Sequence, residues 1–170
     1  MEKQQQIIGD SAVYQRLGEL QVSYAYHEHP PIPTIALAME RWKDIDCRHC
    51  KNLFLRNHKG NRHYLLVLDG HNQANIRSLE LMLGQGKLSF ASEKRMEKYL
   101  GVKPGSVSPL GLVHDAEQHV YVYLDDSLRG APAIGFHPND NRATLVISGQ
   151  DLIRYIEQCG NSWEYINLSI

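Results

Sequence analysis

Long apolar runs are missing from this chain: no stretch approaches the roughly 20 residues that a membrane-crossing helix needs, so a soluble protein with no membrane partner is expected. The start, Met1-Glu2-Lys3-Gln4-Gln5-Gln6, lacks the apolar core of a secretory segment. Cysteine is scarce, with Cys47, Cys50 and Cys159 forming an odd set, and this pattern points to a reducing cytoplasm. An excess of one charge is also absent: 18 lysines and arginines face 19 aspartates and glutamates, for a formal net charge of -1. That balance argues against a protein that coats long duplexes electrostatically and leaves room only for a local nucleic-acid contact. Repeats, low-complexity segments and linker-like stretches are lacking, so residues 1–170 are read as one domain, burying roughly two thirds of the unfolded surface.

Familiar catalytic apparatus is missing as well. There is no Gly-x-Ser-x-Gly elbow and no catalytic-cysteine context. Cys47-Arg48-His49-Cys50 has the spacing of half a zinc site, but no second Cys-x-x-Cys and no His-x-x-x-His completes a tetrahedron. No metal and no cofactor is therefore expected, and a metal hydrolase built on Cys47, His49 and Cys50 stands as an alternative that stoichiometric zinc would support.

The residues present predict interleaved strands and helices. Val13, Leu17 and Leu20 at helical spacing, behind Asp10 or Ser11 as cap, predict a first helix; Val22, Tyr24 and Tyr26 alternate as a strand over 22–27. His29-Pro30-Pro31-Ile32-Pro33 forbids regular structure, and Thr34 is placed to cap a helix over 35–42. Further helices are predicted over 76–83, closed by Gly84, over 93–100 between Ser92 and Gly101, and over 152–159, with Ser148 and Asp151 resembling a capping box and Gly160 at the end. Strands are predicted over 88–90, 119–124, 133–137, 143–147 and 163–168. Hairpins outnumber clean strand-helix-strand units. The expected fold is therefore α+β, a mixed and mainly antiparallel sheet with peripheral helices.

The stretch Cys50-Lys51-Asn52-Leu53-Phe54-Leu55 places a cation and an amide at the mouth of an apolar strand. Turn chemistry at Asn57-His58-Lys59-Gly60-Asn61 and a second apolar run from His63 to Leu68 make it a hairpin. Lys51 at the open end can reach a phosphate or a polarised carbonyl, and Asn52 can donate and accept; the competing reading is a solvated lysine at a strand edge. Lys51 belongs to a basic run with Arg41, Lys43, Arg48, Arg56, Lys59 and Arg62, opposed by Glu40, Asp44 and Asp46. Such a run is ordinarily a solvated face. Two further features stand out. The amides of the Lys103–Leu112 loop, with its glycines and prolines, could surround a small polar ligand, or the loop is a plain helix-to-strand connection. His137 sits at a strand end stopped by Pro138.

Taken together and in order, His29-Pro30-Pro31 with Thr34, Lys51-Asn52-Leu53-Phe54-Leu55, Gly105-x-x-x-Pro109 and Gly135-Phe136-His137-Pro138-Asn139 resemble the YbaK and prolyl-tRNA-synthetase-associated editing-domain family, over about Tyr24 to the end. Within it the chain is most similar to the freestanding ProX branch. The resemblance implies a cytoplasmic hydrolase that acts in trans on the acceptor end of tRNA for proline, releasing mischarged alanine and free tRNA. A prolyl-tRNA synthetase is a further partner it suggests. It also implies that Lys51 is the essential lysine, that Gly105, with Ser106, Val107 and Pro109, supplies main-chain groups around the scissile ester, and that Asn52 orients the substrate. His137, with Ile32 and Thr34 from the Ile32–Leu37 segment, would line the amino-acid pocket. The remaining histidines, His29 and His49 among them, keep a structural reading, and Cys47 and Cys50 lie outside the family pattern. The alternatives are a deacylase for another misacylated tRNA, such as cysteinyl-tRNA for proline, and a non-catalytic module that binds the acceptor end.

Overall fold

The computed structural model describes residues 7–31, 37, 40 and 42–167. Helix α1 (Ser11–Glu19) opens where Asp10 accepts the Ala12 amide, and it buries Val13 and Leu17. The strand predicted for 22–27 instead begins later, as β1 (Ala25–Glu28). The reason is local: Gln21 turns the chain with φ 55°, and Val22 folds back to donate to the Leu17 carbonyl and bury itself against the helix. The helix predicted for 35–42 lies mainly outside the described residues, and Trp42–Asp44 forms a 3-10 turn.

The hairpin forms with the expected turn. Strands β2 (Arg48–Arg56) and β3 (His63–Asp69) pair antiparallel from Cys50 opposite Asp69 to Arg56 opposite His63. The Asn57 carboxamide ties the turn by accepting from the Asn61 and Arg62 amides. After α2 (Ile76–Leu83), the short β4 (Ser89–Phe90) and α3 (Glu93–Leu100), the chain passes through a 3-10 turn at Pro109–His114 into β5 (Val120–Asp125). Strands β6 (Ile134–Phe136) and β7 (Ala143–Ile147), helix α4 (Gly149–Cys159) and β8 (Trp163–Ile166) complete it. Ser92 and Ser148 cap α3 and α4 as their sequences predict, and Gly84, Gly101 and Gly160 end their helices in the left-handed region that glycine enters without strain.

The strand order is β1-β7-β6-β2-β3-β5-β8, with β4 beside β2. Pairs β1/β7, β2/β3, β2/β4 and β6/β7 are antiparallel, whereas β2/β6, β3/β5 and β5/β8 are parallel. The sheet is thus mixed, with the antiparallel pairs in a narrow majority. One face carries α1, α3, α4 and the Pro109–His114 turn over a core that includes Phe54, Leu65, Phe136 and Tyr155; the other carries α2 over Leu55, Leu66 and Leu79. Every residue of β3 is buried, as a central strand covered on both sides requires. Among the described residues no helix is long and apolar enough to cross a membrane.

His63 shows how tightly the turn end is packed. It is 1% exposed, lies between Phe54 and Tyr99, and takes a hydrogen bond from Arg95 on one ring nitrogen. An arginine only donates, so Nε2 accepts and Nδ1 carries the proton, which it gives to His119 Nε2 at 2.9 Å. Burial first, then the neighbouring His119, Arg95, Lys98 and Arg56, lowers its pKa from 6.5 to about 4. The unfolded chain therefore binds a proton that the folded state refuses between those values. This contribution to stability is complete above pH 6.5 and is lost as pH falls towards 4. We expect the melting temperature to drop across that window, and to drop less steeply in His63→Gln; parallel slopes in thermal melts of the two proteins would sink the assignment.

Candidate active site

Strand alternation decides which residues of β2 can share a site. Phe54 and Cys50 pack with the core under α1, α3 and α4, while Leu53 and Leu55 pack with the core under α2. Asn52 therefore faces the first side. There it lines a small cleft of ≈ 30 Å³ together with His49, Cys50, Gly135, Phe136, His137 and Thr144. Two segments far apart in sequence meet here because β6 runs parallel to β2, setting His49 beside Gly135. Gly135 eases that approach: a Cβ there would stand 2.9 Å from Cys47 Sγ and 3.1 Å from the Thr144 methyl, so a side chain would have to displace the thiol.

The cleft's polar atoms are oriented. Asn52 Nδ2 donates to the Val107 carbonyl at 3.1 Å, which fixes the carboxamide's direction because a carbonyl can only accept. Asn52 Oδ1 is buried and has no hydrogen-bond partner among the described residues. His137 Nδ1 lies 2.8 Å from the Ala143 carbonyl and so donates to it, leaving Nε2 as the acceptor of a neutral ring. Burial, with His29 adding to it, lowers the His137 pKa from 6.5 despite the Ala143 bond and Asp140, so the neutral form holds near pH 7. His29 is disposed likewise: Nδ1 donates to the Pro30 carbonyl, and Nε2 meets Thr144 Oγ1 at 2.7 Å. The two imidazoles stand 6.0 Å apart, centre to centre.

The Gly105 loop reaches the cleft through Val107. Gly105 has φ +89°, and a Cβ on it would come 3.4 Å from the Asn141 amide nitrogen, so the loop abuts the turn that follows His137. Among the described residues the amides of Gly105 and Val107 have no acceptor. The second half of the loop differs from expectation. Ser106 and the stretch Ser108–Leu112 are buried, since Leu110 and Leu112 enter the core, Ser108 caps the 3-10 turn and Tyr155 donates to the Leu110 carbonyl. Pro109 is thus part of the packed turn, and the Ser106 amide is taken by the Lys103 carbonyl.

Alternation places Lys51 on the other face of β2 from Asn52. It is half-buried at the open end of the hairpin, where Nζ donates to the Asn72 carbonyl at 3.3 Å, and no carboxylate lies within ion-pair distance among the described residues. Ile32 and Thr34 lie outside the described residues. Burial disfavours the thiolate form of both cysteines: it pushes Cys47 up to about 11, with Asp46 adding to it, and raises Cys50 well above 9. Among the described residues no group of three histidine, cysteine or acidic side chains is arranged to hold a metal.

Thr144, His29, His49 and Cys50 line or adjoin the cleft although sequence reading gave the last three structural or bystander roles. Asp10 is a further surprise. Besides capping α1 it accepts from Asn139 and pairs with His114, and its amide donates to the Pro138 carbonyl. One carboxylate thus ties α1 both to the turn after His137 and to the end of the Pro109–His114 turn. Burial pushes its pKa up, but the bonds from His114, Asn139 and the Ala12 amide outweigh it, and the carboxyl stays below its usual range. Nothing in the sequence around Asp10 signals more than a helix cap.

The fold is shared with known proteins. The chain belongs to the aminoacyl-tRNA editing domain family, whose model matches residues 29–155. It is 41% identical over 161 residues to the prolyl-tRNA editing protein ProX of Acetoanaerobium sticklandii, covering 92% of this chain and 96% of that one. It is 33% identical over 150 residues to the prolyl-tRNA synthetase associated domain-containing protein 1 of Mus musculus, covering 86% and 89%. A crystal structure described as that of a candidate trans-editing enzyme for prolyl tRNA synthetase shares the fold at TM-score 0.68 and 21% identity, over 95% of this chain and 98% of that one.

Proposed function

We propose that this protein is a trans-editing deacylase: it hydrolyses the ester joining a wrongly attached amino acid to tRNA for proline, with alanine as the preferred amino acid, in the cytoplasm where tRNA is charged. The observation that carries this reading is Asn52, on the lining of the cleft, whose buried Oδ1 has no hydrogen-bond partner among the described residues. A buried acceptor without a donor costs about 1 to 3 kcal/mol. A ligand that brings its own donor, such as the α-ammonium of an amino acid or a ribose hydroxyl, removes that cost. The 41% identity to a protein named for prolyl-tRNA editing supports the substrate class.

An aminoacyl ester is already activated, so the site needs orientation and charge stabilisation more than a strong nucleophile. In this reading water attacks the ester carbonyl, the amides of Gly105 and Val107 donate to the oxyanion that develops, and the bond to the ribose oxygen then breaks as that oxygen takes the proton the water gives up. Asn52 holds the amino-acid end. Lys51, from the neighbouring face at the hairpin mouth, takes a phosphate of the terminal nucleotides as a point charge. His137, with Ile32 and Thr34, sets the size of the amino-acid pocket. One methylene is worth only about 1 to 3 kcal/mol in an apolar pocket, so a synthetase shaped for proline cannot exclude alanine by binding alone and benefits from a second, smaller sieve.

The test is a deacylation panel on tRNA for proline charged with alanine, cysteine, serine or proline. Fastest release of alanine is expected; a preference for cysteine would move the protein to the other branch of the family, and no turnover would leave an acceptor-end binding module. If His137 limits size, His137→Ala gains hydrolysis of prolyl-tRNA in single-turnover assays while alanyl-tRNA hydrolysis changes less. An equal fall on both would make His137 a general base instead.

A further inference from the structure

Five of the ten arginines, Arg16, Arg48, Arg129, Arg142 and Arg154, each pair with an aspartate or glutamate. Among the described residues Arg77 and the lysines do not, and several of the unpaired cations gather around the β2–β3 turn. Arg56, Lys59, Arg62, Lys87, Lys94 and Arg95 have no carboxylate within ion-pair distance among the described residues, although Glu93 and Glu97 stand exposed on the same helix as Arg95. These cations are gathered by the fold. The His58 amide donates to the Gln85 carbonyl, bringing the turn against the loop that holds Lys87, and Arg95 donates to the Gly60 carbonyl at 2.8 Å.

Two of them are held in place. Arg56 Nη1 donates to the Asn57 and His58 carbonyls, and a Cβ on Gly60 would lie 3.0 Å from Arg95 Nη2 and 3.6 Å from Arg56 Nη1. The guanidinium groups therefore flank one glycine with no anion between them. Like charges set side by side are unfavourable unless a partner of opposite sign completes the site, and a fixed planar fork suits phosphate oxygens. In a chain of net charge -1 this is a local concentration.

The patch lies within reach of the cleft. Arg56 stands four residues along β2 from Asn52, about 13 Å at the usual rise of a strand, and because Phe54 between them is buried, an RNA strand joining the two passes around the packed core rather than along that face. A few unpaired nucleotides can span that distance. We propose that the basic surface around the β2–β3 turn docks the phosphate backbone of the RNA whose 3′ end occupies the Asn52 cleft. This rests on the deacylase reading for the identity of the RNA, though its own chemistry requires only a polyanion.

The experiment measures binding of uncharged tRNA for proline by fluorescence anisotropy between 50 and 300 mM salt, with wild-type protein and with Lys59→Ala/Arg62→Ala. Both residues are exposed, so the fold is expected to hold, and a matching melting temperature checks this; Lys87→Ala/Lys94→Ala serves as an independent second pair. Loss of two phosphate contacts should lower the slope of log affinity against log salt by about 1.5 to 2 and weaken binding several-fold at low salt. Unchanged slope and affinity in both pairs overturn the proposal even if alanyl-tRNA is hydrolysed normally. If wild-type protein hydrolyses no aminoacyl-tRNA but binds RNA with a slope that falls in the variants, the docking surface stands and the deacylase reading fails. Binding to anionic phosphatidylserine vesicles that is lost in the variants, with no RNA binding, would reassign the patch to a membrane surface and overturn the proposal.

Discussion

Lys51→Ala is expected to lower deacylation of alanyl-tRNA for proline by about 100-fold or more, the loss typical of removing a fixed charge-stabilising group, while leaving the fold nearly untouched. The lysine makes one long hydrogen bond, to the Asn72 carbonyl at 3.3 Å, and no ion pair with a described residue. Its removal therefore deprives no buried carboxylate of a partner, and a stability change within about 0.5 kcal/mol is expected. A half-buried cation kept without a counter-ion is suited to an anion that arrives with the substrate. Because alternation sets it on the other face of β2 from Asn52, it should act on the nucleotide rather than the amino acid, so the loss should be similar for every amino acid attached. Single-turnover rates, with circular dichroism melts as the fold control, decide the matter. Wild-type turnover would return Lys51 to the solvated edge lysines, and a loss specific to alanine would mean that it touches the amino acid.

Asp115→Ala is expected to have the opposite character, a large loss of stability, about 3 to 5 kcal/mol. Asp115 is 4% exposed, and one carboxylate oxygen accepts both the Val120 amide and Asn161 Nδ2 at 2.8 Å, joining the exit of the Pro109–His114 turn to the start of β5 and to the loop between α4 and β8. Deleting it leaves a backbone donor and part of a carboxamide buried and unpaired, which costs far more than the bonds contribute when made. In a chain of this length the melting temperature should fall by roughly 10 °C. Asp115→Asn keeps the shape and one acceptor and should lose clearly less. If both variants melt within 2 or 3 °C of wild type, water enters to replace the carboxylate and the knot is not a structural requirement.

Much of this architecture was legible because it is written in neighbouring residues. Asp10, Ser92 and Ser148 sit one residue before their helices and Gly84, Gly101 and Gly160 just after, and Asn57 to Asn61 carry the hairpin turn within five positions. Pairing choices between distant strands were not legible. Nothing local in Val120–Asp125 says that it lies parallel to β3 on one side and to β8 on the other, because a strand buried on both faces shows a run of apolar residues and no marker of its neighbours. The early start assigned to β1 failed because Val22 satisfies apolar alternation equally well by capping α1. The site divides along the same line. Asn52 and His137 could be singled out by position in strands, but Asn52's partner lies 55 residues away and the Thr144–His29 bond spans 115, distances over which residue pattern carries no signal.

The strand order has a consequence for how the sheet keeps to itself. Its outer strands, β1 and β8, are the first and last of the described strands, and each is only four residues long. Behind them stand β7 and β5, mostly buried and rich in valine, leucine and isoleucine, with ladders complete only while their short neighbours are in place. Should either outer strand peel away, a sticky apolar edge would open to any passing strand of another molecule. Fraying at the ends of the chain would then lead to self-association before global unfolding, and fusions or trims that pull on β1 or β8 would first be noticed as turbidity.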